Sequence, residues 1–296
     1  MKTRLWKDVK MPVGVGIAPS KTLAKLANHA AKKIPKCQGV CVLDEPHKWE
    51  WLLRRTPVTG IWGIAKRLGR RLADLQIYSA WDLAIANPKI VRRASNVNLE
   101  RTIEELNGRA CLALEEVPPA KKQIYCTRSF GKKATELQPC LEAVSLYASR
   151  AAEKLRAQRH IALAMHVFMH TSPFEPNFHS VSNMARLPYP TDDTREIVAL
   201  ARAEIARLYR PGHAFMKAGI GLVEVADKRF YQHDLLHGGQ SERSVKLMET
   251  LDTINRSQGK GAVILGAQGI SKPWAMRQKY KSPEYTTRWD ELPVVR

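Results

Sequence analysis

Ile161-Ala162-Leu163-Ala164-Met165-His166-Val167-Phe168-Met169-His170 alternates residue by residue. A period of two sends successive side chains to opposite faces of a strand. Ile161, Leu163, Met165, Val167 and Met169 therefore form one apolar face, and His166, Phe168 and His170 share the other. Around this strand lie further patterned segments: a strand at 123–131 and a long helix at 141–159 before it, then a strand at 178–187, a helix at 193–209 and a strand at 215–225. The β-α-β-β-α-β order predicts a compact sheet with two helices on one face. His166 and His170 could suggest a metal site, but no carboxylate or Cys joins them at ligand spacing. A sheet face turned toward a nucleic-acid backbone explains them better. Arg128, in Cys126-Thr127-Arg128-Ser129-Phe130-Gly131, is expected on the neighbouring strand.

Pro118-Pro119-Ala120-Lys121-Lys122 reads as a linker in front of this sheet domain. Ahead of it, 12–18 is a strand pattern ending at Pro19-Ser20, a plausible helix start. The helix runs to about Pro35, and a short strand at 39–43 closes at Asp44-Glu45-Pro46. Helical pieces follow at 49–55, 66–76, 79–86 and 98–106, and Ser79 with Asp82 carries a capping-box signature. Behind the sheet domain come one amphipathic helix at 244–255, a Gly-rich turn, a short strand at 262–265 and an aromatic, basic end. There are no repeats and no low-complexity block.

Hydrophobic residues make up 44% and charged residues 26% of the 296, ordinary values for a globular protein. The outlier is charge, with 48 Lys+Arg against 28 Asp+Glu and a net +20. The excess is +10 over 1–118, +7 over 119–230 and +3 over 231–296, so it sits on patterned segments and not on an arm. That distribution predicts a shaped surface for a polyanion, of which nucleic acid is the commonest. Cys37, Cys41, Cys111, Cys126 and Cys140 lack framework or zinc spacing and read as free thiols. No apolar run approaches transmembrane length and no signal core follows Met1, so a cytoplasmic protein without a membrane partner is expected.

Within 19–35 at about 100° per residue, Leu23, Leu26, Ala27, Ala30 and Ile34 fall on one side. Lys21, Lys25, Asn28 and Lys32 fall on the other. A solvated lysine face is the bland explanation. The helix, however, starts directly after a Gly-rich strand end, where ligands of α/β units collect. The segment Thr59-Gly60-Ile61-Trp62-Gly63-Ile64-Ala65-Lys66-Arg67 sits between two short helices. A Gly-containing hairpin that opens a helix presents N–H groups to a phosphate, with Gly63 and Ala65 allowing close approach. Ile61 and Ile64 would anchor it, and Lys66, Arg67, Arg70 and Arg71 add charge. This is a helix-hairpin-helix arrangement, a sequence-independent grip on duplex backbone; an ordinary helix–helix turn is the competing reading.

The run Val13-Gly14-Val15-Gly16-Ile17-Ala18-Pro19-Ser20-Lys21-Thr22-Leu23-Ala24-Lys25-Leu26-Ala27-Asn28-His29-Ala30-Ala31-Lys32-Lys33 and Trp62-Gly63-Ile64 resemble the Y-family translesion DNA polymerases, specifically of the UmuC type. Asn98-Leu99-Glu100-Arg101-Thr102, Thr127-Arg128-Ser129-Phe130-Gly131, Thr171-Ser172-Pro173-Phe174, Ala267-Gln268-Gly269-Ile270 and Tyr285-Thr286-Thr287-Arg288 extend the resemblance nearly end to end. It implies an α+β multidomain protein. Its parts would be a palm remnant (1–47), an all-α helix-hairpin-helix thumb (48–118), a βαββαβ little-finger domain (119–230) and a small UmuC-type tail (231–296). It also implies that Lys32 meets the triphosphate of an incoming nucleotide and that Lys25 lies nearer the primer–template. The implied DNA-binding set is Lys21, Lys25, Trp62, Gly63, Ile64, Ala65, Lys66, Arg67, Arg128, His166 and His170. Gln232-His233-Asp234-Leu235-Leu236 looks like a sliding-clamp peptide, with Gln232, Asp234, Leu235 and Leu236 as contacts. Its second leucine stands where an aromatic is usual, and a polar loop with two chance leucines is an even alternative.

The departure lies at the front. Two-metal nucleotidyl transfer needs carboxylates that hold both ions, and ahead of the Val-Gly-Ile-Ala strand this chain has only Asp8. Asp44-Glu45 follows the helix and cannot take that role; the fingers and steric gate are missing as well. A truncated gene, a wrongly assigned start or one half of a split protein would each produce such a chain, with apolar surface exposed at Val13, Val15 and Ile17. The expectation is a DNA-binding portion of a polymerase acting on damaged primer–template in SOS-induced repair and mutagenesis. It would have no catalytic residues, no metal and no bound cofactor of its own, Mg serving the intact family enzyme. A sliding clamp, a UmuD-like subunit and RecA are possible partners. The alternative is a non-catalytic DNA- or clamp-binding regulator of an intact polymerase. A helix-hairpin-helix glycosylase or nuclease ranks last, since no Asp or Lys nucleophile stands out.

Overall fold

The computed structural model describes residues 1–113, 120–230, 239–276, 280–285 and 287–292. The chain divides into two compact units, Met1–Pro118 and Pro119–Arg296.

The first unit opens with α1 (Lys2–Val9), which buries none of its residues. Two short parallel strands follow, β1 (Val15–Ile17) and β2 (Val40–Val42), paired Val15 to Val40 and Ile17 to Val42. Between them α2 (Lys21–Lys33) buries Leu23, Leu26, Ala27 and Ala30, the apolar side expected from the sequence. It approaches β1 so closely that a Cβ on Gly16 would lie 2.2 Å from the Asn28 nitrogen. Among the described residues the other side of the ribbon is left partly open: Ile17 is 51% exposed and Val42 42%, while Val13 and Val15 are half-buried. The helices α3 (Pro46–Arg55), α4 (Lys66–Ala73), α5 (Ala80–Ile85), α6 (Pro88–Ala94) and α7 (Val97–Leu106) complete the unit. Leu53, Leu72, Leu83, Ile103 and Leu106 fill its core. Ser79 and Asp82 form the expected capping box. Helix α6 is an addition to the sequence reading: the Asn87 side chain caps its first turn and Pro88 occupies its first position.

Glu105 fastens α2 to α7. Its buried carboxylate accepts from the Thr22 N–H at 2.9 Å and the Thr22 hydroxyl at 2.6 Å. It also accepts from the N–H groups of Cys111 and Leu112, both at 3.1 Å. Ser20, the cap of α2, donates to the Glu105 carbonyl at 2.6 Å. A negative charge at a helix N-terminus meets unpaired N–H groups and the positive end of the dipole. Burial raises the affinity of Glu105 for a proton, yet the bonds from Thr22, Cys111 and Leu112 hold its carboxyl below the usual range.

The second unit is built on an antiparallel sheet in the order β3-β6-β4-β5, from β3 (Ile124–Ala134), β4 (His160–His170), β5 (Ser180–Thr191) and β6 (Phe215–Asp227). Two helices, α8 (Leu137–Ala157) and α9 (Thr194–Leu208), pack on one face over Met165, Val167, Met169, Ile220 and Leu222. Alanines on α8 at 143, 148, 151 and 152, all fully buried, let the helix sit close to the strands. The tail docks on this same unit. Its helix α10 (Glu242–Ser257) is tied down by Arg156, which holds Asp252 through two bonds of 2.7 Å. Trp274 inserts edge-on against Phe130 and Tyr147, at 6.3 and 6.1 Å. All five cysteines are free.

One expected element is absent. Residues 262–265 are not a strand, because Gly259 and Gly261 on the approach hold φ of 100° and 88°. The Asn255 side chain instead donates to the Val263 carbonyl at 2.9 Å and accepts from its N–H at 3.0 Å. A short 3-10 turn at Gly266–Gln268 follows.

Glu105→Gln is expected to cost the first unit about 1.5–3 kcal/mol, since an amide would turn donors toward N–H groups. A carboxyl held low in the folded state contributes stability above its unfolded value and loses it as pH falls through the folded one. Wild type should therefore lose stability below about pH 4, and the Gln variant should lose less over that window. Chemical denaturation across pH checks both.

Candidate nucleic-acid interface

Lys21, Lys25 and Lys32 are exposed on the side of α2 opposite its buried residues. They are not equivalent. The Lys21 ammonium donates to the Ala113 carbonyl at 2.6 Å, so the chain itself occupies one of its donors. The stem of Lys32 lies along the strand end, where a Cβ on Gly14 would come within 2.9 Å of its Cγ. Asn28 donates to the Gly14 carbonyl at 2.6 Å and fixes the same strand end. The Lys32 ammonium is thus aimed by contact of its methylenes and not by an ion pair.

The hairpin has the local features of a phosphate site. Ile61 and Ile64 are buried at 3% and 4% exposure, anchoring it from beneath. Trp62, Gly63, Ala65, Lys66 and Arg67 face solvent. Gly63 adopts φ of 91°, and a Cβ there would meet nothing within 4 Å. Its requirement is therefore conformational and not one of space. Ala65 is the N-cap of α4 and offers no side-chain cap, leaving the first N–H groups of that helix without side-chain acceptors. Lys66, Arg67, Arg70 and Arg71 are all exposed, with no ion pair among the described residues.

On the second unit the face away from the helices carries a ladder of rings. Pairing places Tyr125, Gly221, His166 and Met184 in one row across the sheet. Thr127, Gly219, Phe168 and Ser182 form the next, and Ser129, Lys217, His170 and Ser180 the third. His166 stacks on Phe168 at 5.5 Å and Phe168 on His170 at 6.4 Å, with His170 in turn 5.9 Å from Phe178. The middle strand makes room. A Cβ on Gly219 would sit 2.4 Å from Thr127 Cγ2, and one on Gly221 2.2 Å from Tyr125 Cε1. Tyr125 leans across that gap to within 6.1 Å of His166. The His166 Nδ1 atom is buried and finds no partner within the protein.

Arg128 does not join this face. The strand next to β4 on that side is β6, with β3 beyond it. Arg128 pairs with Ala218, which pairs with Met169, so Arg128 belongs to the row that faces the helices. The alternation that points Tyr125 and Thr127 outward points Arg128 toward α8. Sequence reading also missed Glu105, since an acidic residue in an amphipathic helix gives no sign that a second helix begins on top of it.

The clamp-peptide residues Gln232, Asp234, Leu235 and Leu236 lie outside the described residues, as do Pro118 and Pro119 of the linker. Among the described residues no three His, Cys, Asp or Glu side chains converge to hold a metal ion. Asp8 pairs with Arg4 at 3.3 Å, and Asp44 with Lys48 at 2.7 Å. These carboxylates therefore do not fit a two-metal site. Among the described residues no helix is long and apolar enough to cross a membrane.

The comparisons with known proteins agree with this architecture. The profile described as "impB/mucB/samB family C-terminal domain" matches residues 121–235. A second, described as "Domain of unknown function (DUF4113)", matches 245–295. Protein UmuC of Salmonella typhimurium is 40% identical over 296 residues, covering 99% of this chain and 70% of that protein. Protein MucB of Escherichia coli is 42% identical over 298 residues, covering 100% and 70%. DNA polymerase IV 1 of Bacillus subtilis is 22% identical over 275 residues, covering 90% and 63%. Among solved structures, the Y-family DNA polymerase chimera of Dbh and Dpo4 shares the fold, with a TM-score of 0.50, 18% identity, and 76% and 62% of the two chains covered. The fold is that of the Y-family DNA polymerases. Within that fold the chain belongs to the impB/mucB/samB family, with UmuC and MucB.

Gly219→Val is expected to destabilise the second unit by about 1–3 kcal/mol, because the new methyl groups must displace Thr127 and Phe168. Val favours strands elsewhere, so unchanged stability in chemical denaturation would show that the ring ladder is loosely packed.

Proposed function

We propose that the chain is the DNA-holding portion of a UmuC-type translesion DNA polymerase and does not polymerise by itself. The hairpin carries the reading: an uncapped N-terminus on α4, a glycine at positive φ before it, and exposed Lys66 and Arg67 without ion pairs among the described residues. This combination suits a phosphate oxygen and reads no base, as a polymerase working on any template requires. Lys25 would neutralise the primer–template backbone and Lys32 the triphosphate of an incoming nucleotide. Lys21 would contribute less, since it already donates to Ala113. His166, Phe168 and His170 would meet DNA through the open sheet face, whereas Arg128 would have to act from the opposite one. Mg would serve the intact enzyme, whose carboxylates must come from outside the residues described. A sliding clamp held through Gln232, Asp234, Leu235 and Leu236, a UmuD-like subunit and RecA are the proposed protein partners.

A second reading is favoured by the carboxylates, since Asp8 and Asp44 are each paired with a base instead of converging. On that reading the chain regulates an intact polymerase by occupying DNA or the clamp. Gln232→Ala with Leu235→Ala should then abolish clamp retention.

Primer extension with Mg²⁺ should give no incorporation by the purified chain; incorporation overturns the non-catalytic part of the proposal. Lys66→Glu with Arg67→Glu should weaken duplex binding at least tenfold. It should also lower the slope of log K against log salt by about 1.8 or more, at about 0.9 for each phosphate no longer neutralised. Unchanged fluorescence anisotropy in that variant would remove the hairpin from the interface.

A further inference from the structure

A second cationic surface lies on the other side of β3. The C-terminal half of α8, α10 and the 260–272 segment enclose a cleft of about 720 Å³ against that strand. Arg128, Arg150, Lys154, Lys260 and Lys272 line it, and none of them forms an ion pair among the described residues. Of the two carboxylates in the lining, Asp252 is already bound by Arg156 at 2.7 Å, so Glu153 alone opposes five cations.

Leu251, Val263, Ile264 and Leu265 give the same lining an apolar part. Gln268 at its base is 4% exposed. Its amide donates to the Ser149 hydroxyl at 2.9 Å, while its Oε1 is buried with no partner within the protein. Burial pushes the Tyr147 hydroxyl up to about 12, against the pull of Arg128 and Arg150, which keeps it protonated as a donor at the cleft edge.

Unpaired cations beside apolar side chains in one cleft match a ligand that carries both phosphate and a ring. We propose that this cleft binds the phosphate-ester chemistry of nucleotides, supplied by a single-stranded nucleic acid or by a free nucleoside triphosphate. The site exists only because the tail is docked. Arg128 reaches it from the helix side of β3, while Tyr125 and Thr127, which also line it, belong to the rows of the open face. It does not depend on the hairpin or on the proposed polymerase role.

The test uses the full chain and two probes, a fluorescent dT16 strand followed by anisotropy and dCTP followed by thermal shift. Arg150→Gln with Lys260→Gln should weaken dT16 binding at least tenfold at low salt and lower its salt slope by about 1.4, at about 0.7 per phosphate on a single strand, or should abolish the dCTP shift in a Lys32→Gln background, where the proposed triphosphate contact of α2 is removed. An effect confined to dT16 assigns the cleft to a strand, and one confined to dCTP assigns it to a free nucleotide. Arg150→Lys with Lys260→Arg should retain binding. If the Gln pair melts lower without ligand, Arg128→Gln with Lys272→Gln takes its place. Binding equal to wild type for both probes, or no binding of either probe by wild type, overturns the proposal. Lys66→Glu with Arg67→Glu, run alongside, separates this outcome from failure of the hairpin assignment: it should leave the dCTP response intact.

Discussion

The second unit hangs together at one guanidinium. Arg156 is 9% exposed and cannot shed its charge, so an unmatched donor there would carry a large desolvation cost. Four of its five N–H donors are used. Nε and Nη2 clasp Asp252 on α10, and Nη1 donates to the Asp192 carbonyl at 2.7 Å and the Thr194 hydroxyl at 2.8 Å. One side chain on α8 thus fixes the start of α9 and the middle of α10. Around it Ser244 donates to Asp193, and Gln240 accepts from Thr191 and Asp192. The tail is held at several points that depend on one another, and every surface it helps to build inherits that dependence.

The same logic sorts the basic residues. Arg195, Arg207 and Arg229 are each held by a nearby carboxylate at 2.7–2.8 Å, so they add little to the field outside the protein. The cations of the hairpin, and Arg128, Arg150, Lys154, Lys260 and Lys272 in the α8–α10 cleft, have no such partner among the described residues. Net charge of +20 says only that a polyanion is attracted. Which cations are left unpaired says where it can be gripped.

Much of this was legible in the sequence, and the limits follow from the physics. Periodicity gave both sheet-domain helices, the strand alternation and the buried side of α2, because each is a local consequence of one element having one wet face. The order of strands is not local. Any antiparallel arrangement satisfies the same alternation, so nothing in Thr127-Arg128-Ser129 says that β6 lies between β3 and β4, and alternation alone leaves Arg128 free to be placed on the wrong face. The missed α6 had its Asn-Pro start in view but only seven residues of helix, too few for a period. The expected strand at 262–265 failed for the converse reason: its apolar residues suited a strand, but Gly259 and Gly261 at positive φ turn the chain and the Asn255 side chain takes up the Val263 backbone groups.

Gly219 and Gly221 show how a strand can matter through what it lacks. They stand on the middle of the open sheet face, where a β-branched residue would ordinarily be favoured. Filling those positions would push Tyr125 and Thr127 off the face and drive Phe168 out of line. Their absence of side chains lets rings from β3 and β4 meet over β6, so the ladder belongs to three strands and not to one. Such a face offers ring edges and two imidazoles to whatever approaches, flanked by Lys217 and with little aliphatic surface. A contact surface of that kind tolerates the passing of successive phosphates better than it selects a base, because nothing on it is paired in the fixed donor–acceptor pattern that base reading requires.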